Sequence, residues 1–291
     1  MLFFSLCFAK IITGIVSFTR VWYTDNANES HMEAKMKKID KINSKWNGKN
    51  VLVIGDSITA DGRWQEEMAR LTGCNIRTHA YGGIGIIDMV EGLGAQENDM
   101  KYDPHTGCNG NFGPLSLEDV AFADLIILDG PYNERHMEYG ERGDVYPEKN
   151  TLRGKFAYVI DKLYSLLEET GNYGCHVMLV TPHCSGKYDW IYRNGYEDFP
   201  EGSGRSLETM AELIEKIGGE NHLHVCNAFK TSGIGRYTWH HYCHSPVVMA
   251  EDYDPEKEYE APYPMYADQA HLNAEGYARL GACIAASAEL A

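Results

Sequence analysis

At 291 residues the chain can bury a sizeable core, and 44% hydrophobic with 23% charged residues is globular rather than disordered composition. A formal net charge of −16 argues against a nucleic-acid partner, whose phosphates it would repel. The eight cysteines (Cys7, Cys74, Cys108, Cys175, Cys184, Cys226, Cys243 and Cys283) include no C-x-x-C pair, which argues against a zinc ribbon or a thioredoxin-type motif and favours reduced, mostly structural thiols.

Residues 2–18 are apolar enough to resemble a signal or anchor, but Lys10 interrupts them, no basic stretch precedes them, and they are short for a membrane span. Met32 opens a more ordinary start, followed by an amphipathic segment over 33–42 in which Lys35, Lys37, Lys38 and Lys41 read as a solvated helix face. The expected division is therefore an N-terminal segment over 1–47 and one domain over 48–291. A start near Met32 implies a cytoplasmic protein, and a genuine targeting segment implies a secreted or anchored one. Asn28-Glu29-Ser30 fits a glycosylation acceptor, which matters only for a chain secreted in a eukaryote.

The first strong strand is Val51-Leu52-Val53-Ile54, a continuous apolar run that ends in Gly55-Asp56-Ser57 and leads to a helical segment over 64–71. Ser57 then stands just past the carboxyl end of a buried strand, where open α/β sheets place their ligands. A second strand is expected over 75–80, followed by Tyr81-Gly82-Gly83-Ile84-Gly85 and an apolar-periodic segment over 86–93. Residues 96–118 read as a loop insertion, 123–128 as the next strand, and Asp129-Gly130-Pro131-Tyr132-Asn133-Glu134 as its exit. A long helix is expected over 152–169, with Phe156, Val159, Ile160, Leu163, Leu166 and Leu167 at helical spacing. A strand over 177–180, an irregular aromatic region over 183–204, a helix over 206–217 and a short strand over 224–226 follow. Residues 231–266 read as a long loop. The last helix spans 273–290, with Asn273 as its N-cap and Glu275 in its first turn. Strands that alternate with helices indicate a parallel sheet covered on both faces.

Just before that last helix stands Asp268-Gln269-Ala270-His271. An Asp and a His three apart face each other across a helical turn, so the carboxylate accepts the Nδ1–H and leaves Nε2 to take a serine proton. Alone, D-x-x-H reads more readily as a surface turn before a helix cap. In combination, Gly-Asp-Ser after the first strand, a Gly-rich turn after the second, Asn after the third and D-x-x-H before the last helix resemble the SGNH (GDSL-type) hydrolases over roughly residues 48–290.

That resemblance implies an α/β fold of three layers, α/β/α, on a mostly parallel, flavodoxin-like sheet. It makes Ser57 the nucleophile, with its own N–H in an oxyanion hole that also takes the Gly83 N–H and an Asn133 side-chain N–H. His271 becomes the base and then the acid, oriented by Asp268. Two departures stand out. The third block of the family reads Gly-x-Asn-Asp, whereas Gly130-Pro131-Tyr132-Asn133-Glu134 has an extra residue and a final Glu. The second block leaves Gly83 or Gly85 as the donor, with Gly83 at the better spacing; as plain turn glycines and a loop cap, these residues need no further role.

The implied activity is a cofactor-free, metal-free serine esterase acting on a small-molecule or carbohydrate ester, with a lean toward acetyl. Lipid-ester or lysophospholipid hydrolysis, or a binding protein that has lost turnover, are the alternatives. No stable membrane insertion is expected of the domain, and the oligomeric state stays open. No G-x-S-x-G elbow is present, and Gly83-Ile84-Gly85 lacks the third glycine of a dinucleotide fingerprint. His240, His241, Cys243 and His244 lack a familiar zinc spacing. Tyr132, Trp190, Tyr192, Tyr196, Tyr237, Trp239 and Tyr242 could stack on sugar rings, although ordinary packing is the simpler reading of each.

Overall fold

The computed structural model describes residues 44–93, 112–185, 205–243 and 270–291. The segment over 33–42, most of the two expected insertions, and Asp268 lie outside the described residues.

Five strands form one parallel sheet in the order β2-β1-β3-β4-β5: β1 (Asn50–Gly55), β2 (Asn75–Ala80), β3 (Leu125–Leu128), β4 (His176–Val180) and β5 (His224–Cys226). The central strands are apolar on both sides, so each alternates its side chains between two cores. Leu52, Ile54, Ile126, Leu128, Val177 and Leu179 pack on one face, and Val51, Val53, Leu125, Ile127, Met178 and Val180 on the other. Half-exposed β2 is an edge strand, and its Arg and His fit that place.

On the first face lie α4 (Leu117–Phe122), α5 (Leu152–Thr170) and α6 (Leu207–Glu220), and α3 (Asp88–Glu91) sits beside α5. Phe156, Val159, Ile160 and Leu163 of α5 are buried at the expected period, and the helix stops at Gly171 in the left-handed region. Ser206 caps α6 through a reciprocal capping box with Thr209. On the second face lie α2 (Arg63–Thr72) and α9 (Ala274–Ala288), joined by Trp64, Met68, Tyr277, Leu280 and Ile284. Asn273 caps α9 by accepting the Gly276 N–H, as expected. No described helix is long and apolar enough to cross a membrane.

Three one-turn helices stand where the sequence gives no periodic signal: α1 (Ser57–Ala60), α7 (Ala228–Thr231) and α8 (Trp239–Tyr242). The first two are held by Asx caps from Asp56 and Asn227. α4 takes up the last two residues of the expected 96–118 loop because Ser116 caps it. The segment over 86–93 is helical for only four residues before Gly92.

α9 and α2 approach through Gly281, where a Cβ would stand 2.4 Å from the Trp64 carbonyl and 2.9 Å from Glu67 Cβ. Gly281→Ala gains about 1 kcal/mol of helix propensity but forces two backbones apart, at about 1–3 kcal/mol or more. Overpacking against rigid backbone should win, giving a net loss of about 1–2 kcal/mol in urea unfolding. Gly174→Ala, with open space around it, should stay within about 0.5 kcal/mol of wild type.

Candidate active site

β1 lies between β2 and β3, so the loops that leave these three strands meet at one end of the sheet. β2 and β3 flank β1 on opposite sides, and this is the topological switch point. The chain turns there at Gly55, whose missing Cβ would lie 2.4 Å from Thr59 Oγ1 and 3.0 Å from Asp129 Cβ. Asp56 caps α1 by accepting the Ile58 N–H at 3.0 Å, which leaves the N–H of Ser57 at the tip of the turn. Ser57 itself is partly exposed, between buried neighbours.

The Ser57 Oγ lies 2.7 Å from His271 Nε2, and the two residues are 214 positions apart in sequence. The hydroxyl can donate to that nitrogen, which leaves Nδ1 for the ring proton. The His271 segment is pinned from several sides. His183, buried at the exit of β4, donates from Nε2 to the Ala270 carbonyl at 2.8 Å. Leu272 is buried and forms an antiparallel bridge with Cys243, and its carbonyl accepts from Arg63 at 3.4 Å. Asn273 donates its N–H to the Tyr242 carbonyl at 2.7 Å and its side-chain amide to the His241 carbonyl at 2.7 Å.

Across the switch point, Gly83 has φ +78° and stands exposed; among the described residues its N–H has no hydrogen-bond partner. Gly85, the alternative, spends its N–H on Asp88 Oδ2 at 3.2 Å. Asn133 lies in a 3₁₀ turn (Tyr132–Glu134), and this turn absorbs the extra residue of the third block. Its Nδ2 donates to Asp56 Oδ2 at 3.2 Å and to the Ile84 carbonyl at 3.1 Å. Ser57, His271 and Asn133 thus converge, with Gly83 one residue before the Ile84 carbonyl that Asn133 grips.

Sequence reasoning missed four residues around this centre. Asp129, at the exit of β3, accepts from Thr59 Oγ1 at 2.6 Å and from the Gly130 N–H at 2.9 Å. His183 steadies Ala270. Glu134 and Lys155 form a buried ion pair beside Gly85. Only Glu134 left a trace, as the unexpected last residue of the third block.

Among the described residues no group of three or more His, Cys, Asp or Glu side chains could hold a metal ion. Cys243 is buried in the bridge to Leu272, while His244 lies outside the described residues. Of the aromatic candidates, Tyr132 is buried with its hydroxyl 3.3 Å from Ser185 Oγ, and Trp239 and Tyr242 pack against the second core. These three are packing residues. Tyr237 is exposed, and Trp190, Tyr192 and Tyr196 lie outside the described residues.

No family model and no curated protein matches the chain. Among solved structures, one aligns over 84% of this chain and 97% of its own at 19% identity, with a TM-score of 0.50. The chain is also similar to a possible lipase from Chitinophaga pinensis DSM 2588 (17% identity, 82% and 96% covered, TM-score 0.48). A third likeness is to a catalytic mutant of an acetylxylan esterase from Geobacillus stearothermophilus (14% identity, 83% and 94% covered, TM-score 0.38). At 19% identity the first likeness speaks for the fold alone. The fold is α/β in three layers, on a parallel sheet of flavodoxin-like order.

The Asp56 carboxyl is pushed up from 3.8 to about 7, first by burial and then by the negative charge of Asp129. Burial also raises Asp129, against the hydrogen bonds from Thr59 and Gly130. Such groups keep their protons in the folded state after the unfolded chain has released them. Their contribution is fully present below the unfolded pKa of 3.8 and is lost as pH rises toward about 7. The lowered carboxyls Glu91, Asp119 and Asp124 act oppositely, losing their contribution only as pH falls below their unfolded values of 4.5, 3.8 and 3.8. Guanidinium unfolding should therefore show stability declining between pH about 5 and about 7.5, with a shallower decline in Asp129→Asn. Equal slopes in the two proteins would refute the assignment.

Proposed function

We propose that the chain is a serine esterase that hydrolyses a small acyl ester through an acyl-enzyme, with residues 48–291 as its catalytic domain. The observation that carries this reading is the 2.7 Å approach of Ser57 Oγ to His271 Nε2 at the switch point of the sheet. A hydroxyl alone is a weak nucleophile at neutral pH, and an imidazole within hydrogen-bond reach activates it.

In the proposed sequence Ser57 Oγ attacks the ester carbonyl while its proton passes to His271 Nε2. Negative charge collects on the former carbonyl oxygen, and the N–H groups of Ser57 and Gly83 with the Asn133 amide stabilise it. Among the described residues the Gly83 N–H has no hydrogen-bond partner, which supports Gly83 over Gly85 as donor. The Asn133 bond to Asp56, beside the nucleophile, is the one it shares with the oxyanion, while the bond to Ile84 holds the amide in place. His271 then protonates the leaving alcohol, and water repeats the cycle on the acyl-enzyme. Asp268, three residues before His271, is the proposed acceptor for Nδ1–H and stabilises the imidazolium. No cofactor enters this chemistry.

The substrate class is a small neutral ester. The charge of −16 disfavours anionic lipids, and an acetyl ester on a carbohydrate is the form we favour.

Purified protein should hydrolyse p-nitrophenyl acetate, and a fluorophosphonate should label Ser57 by mass. Ser57→Ala and His271→Ala should abolish turnover while far-UV circular dichroism persists; equal rates in wild type and Ser57→Ala would instead leave a binding protein on an esterase fold. Asn133→Ala should lower kcat by about 10²–10³-fold, with KM nearly unchanged because the donor acts on charge that develops after binding.

A further inference from the structure

The two loop donors of the proposed oxyanion hole ride on different strands. Gly83 follows β2 and Asn133 follows β3, and these strands flank β1 on opposite sides without touching each other. Their pairing with β1 sets the height of both exits, and links that join the loops directly can then hold the two donors at one separation. Resting on the oxyanion donors proposed above, we propose that the buried Glu134–Lys155 ion pair is a positioning device that locks the Asn133 turn to the Gly83–Gly85 turn.

Two links cross the gap side by side. Asn133 Nδ2 donates to the Ile84 carbonyl at 3.1 Å, and the next residue, Glu134, accepts the Ile86 N–H on Oε2 at 3.2 Å. The second oxygen, Oε1, pairs with Lys155 Nζ from α5, which is anchored in the first core. One carboxylate thus ties the β2 exit, the β3 exit and a long helix together. The main chain of Glu134 is committed as well, donating to the Pro131 carbonyl at 3.0 Å and accepting from Met137 at 2.9 Å. Gly85 is shaped for the same contact: a Cβ there would lie 2.7 Å from Glu134 Oε1 and 3.1 Å from Cδ, so any other residue would push the carboxylate out of place.

The pair is nearly dry, with side-chain exposure of 7% for Glu134 and 15% for Lys155. Ion pairs in such places give little net stability, because desolvating both charges offsets their attraction, and apolar replacements of both partners often fold at least as well. What the pair supplies here is direction: a carboxylate with both oxygens engaged fixes the turn that carries Asn133. Glu134 and Lys155 are positioning residues, acting on the oxyanion through Asn133 and the glycine turn. The length of Glu suits the task, since its reach spans from the 3₁₀ turn to the Ile86 N–H where an Asp would fall short by a methylene.

The test separates fold stability from placement. Glu134→Leu/Lys155→Met removes both charges and keeps apolar volume, but leaves the Ile86 N–H without its acceptor. It should melt within a few degrees of wild type, keep KM within about twofold, and lose kcat by about 10–100-fold on p-nitrophenyl acetate, the range seen when outer supports of a site are removed. Glu134→Gln/Lys155→Met keeps an oxygen for the Ile86 N–H but has no ion pair, and should recover only part of that loss, the remainder being the share carried by the ion pair itself. Wild-type kcat in a folded Glu134→Leu/Lys155→Met protein overturns the proposal, as does equal loss in the two double variants. Should the Leu variant fail to melt cooperatively, Glu134→Gln alone decides, since its amide keeps the acceptor but faces the Lys155 ammonium. A kcat loss at unchanged KM supports the device, and no loss overturns it. Fluorophosphonate labelling of Ser57 in the wild type tells the two readings apart. Labelling with an unperturbed Glu134 series sinks the positioning device alone, and wild-type turnover that persists in Ser57→Ala sinks both.

Discussion

Everything at this site depends on the parallel pairing of β1 with its two neighbours. Ile54 is level with Leu128 on one side and Gly55 with Ala80 on the other, so three exits open at one height above the sheet. Parallel strands rise about 3.3 Å per residue, so a slip of one residue would carry Ser57 out of reach of His271. Because β1 is apolar on both faces, inside-outside alternation alone does not fix that register. The crowded contacts at Gly55, against Thr59 and the Asp129 Cβ, and the Asp56 cap of α1 restrict how the chain can leave the strand. Register and turn chemistry together place the hydroxyl.

The same end of the sheet concentrates negative charge in a chain already at −16. Asp56, Asp129 and Glu134 are all buried within a few residues of the proposed catalytic groups. Each is accommodated differently. Asp129 is satisfied by neutral donors from Thr59 and Gly130, and Glu134 has a full counter-charge in Lys155. Asp56 accepts from the Ile58 N–H and the Asn133 amide, and its burial, then the facing charge of Asp129, resist its ionisation. His271 and the Arg135 guanidinium pull the other way, favouring the charged form of Asp56. A positive imidazole arising during proton transfer would therefore strengthen the ionised form of Asp56, and that anion would stabilise the imidazolium in return. The Asp56 cap of the Ser57 turn and the His271 imidazole are thus electrostatically linked.

Much of this was legible in the sequence because it is local. β1, β3 and β4 are short continuous apolar runs, α5 has an unbroken period, and Asn273 precedes its helix at cap distance. Ser57 and His271 are found from two short blocks even though 214 positions separate them. Spacing leaves Gly83 or Gly85 as the donor, with Gly83 the better fit, and the proposed choice of Gly83 is supported by a side chain three residues beyond Gly85, since Asp88 occupies the Gly85 N–H. The one-turn helices α7 and α8 were not legible, because four residues carry no period and tertiary contacts hold them. Asp129, His183 and Lys155 escaped for a similar reason. Their partners lie 70, 87 and 21 positions away, at Thr59, Ala270 and Glu134, and nothing in the flanking residues announces the pairing. Trp239 and Tyr242 of the late loop pack against the second core, the simpler of the two readings their sequence allows.

The segment that carries the proposed base is held through its backbone. Ala270 is gripped by His183, Leu272 by Cys243 and Arg63, and Asn273 by Tyr242 and His241, so the residues on both sides of His271 are fixed before any carboxylate reaches its ring. That frame continues into α9, which is clamped to α2 at Gly281 and tied at its far end by the Trp46 indole N–H to the Ala288 carbonyl at 2.8 Å. A ring carried on so constrained a segment needs little help to find Ser57. The proposed contribution of Asp268 then falls mainly on charge, in choosing the tautomer and supporting the imidazolium, rather than on holding the loop. The division is a physical one: the fold positions the imidazole, and the proposed role left to the Asp268 carboxylate is to make it basic enough to use.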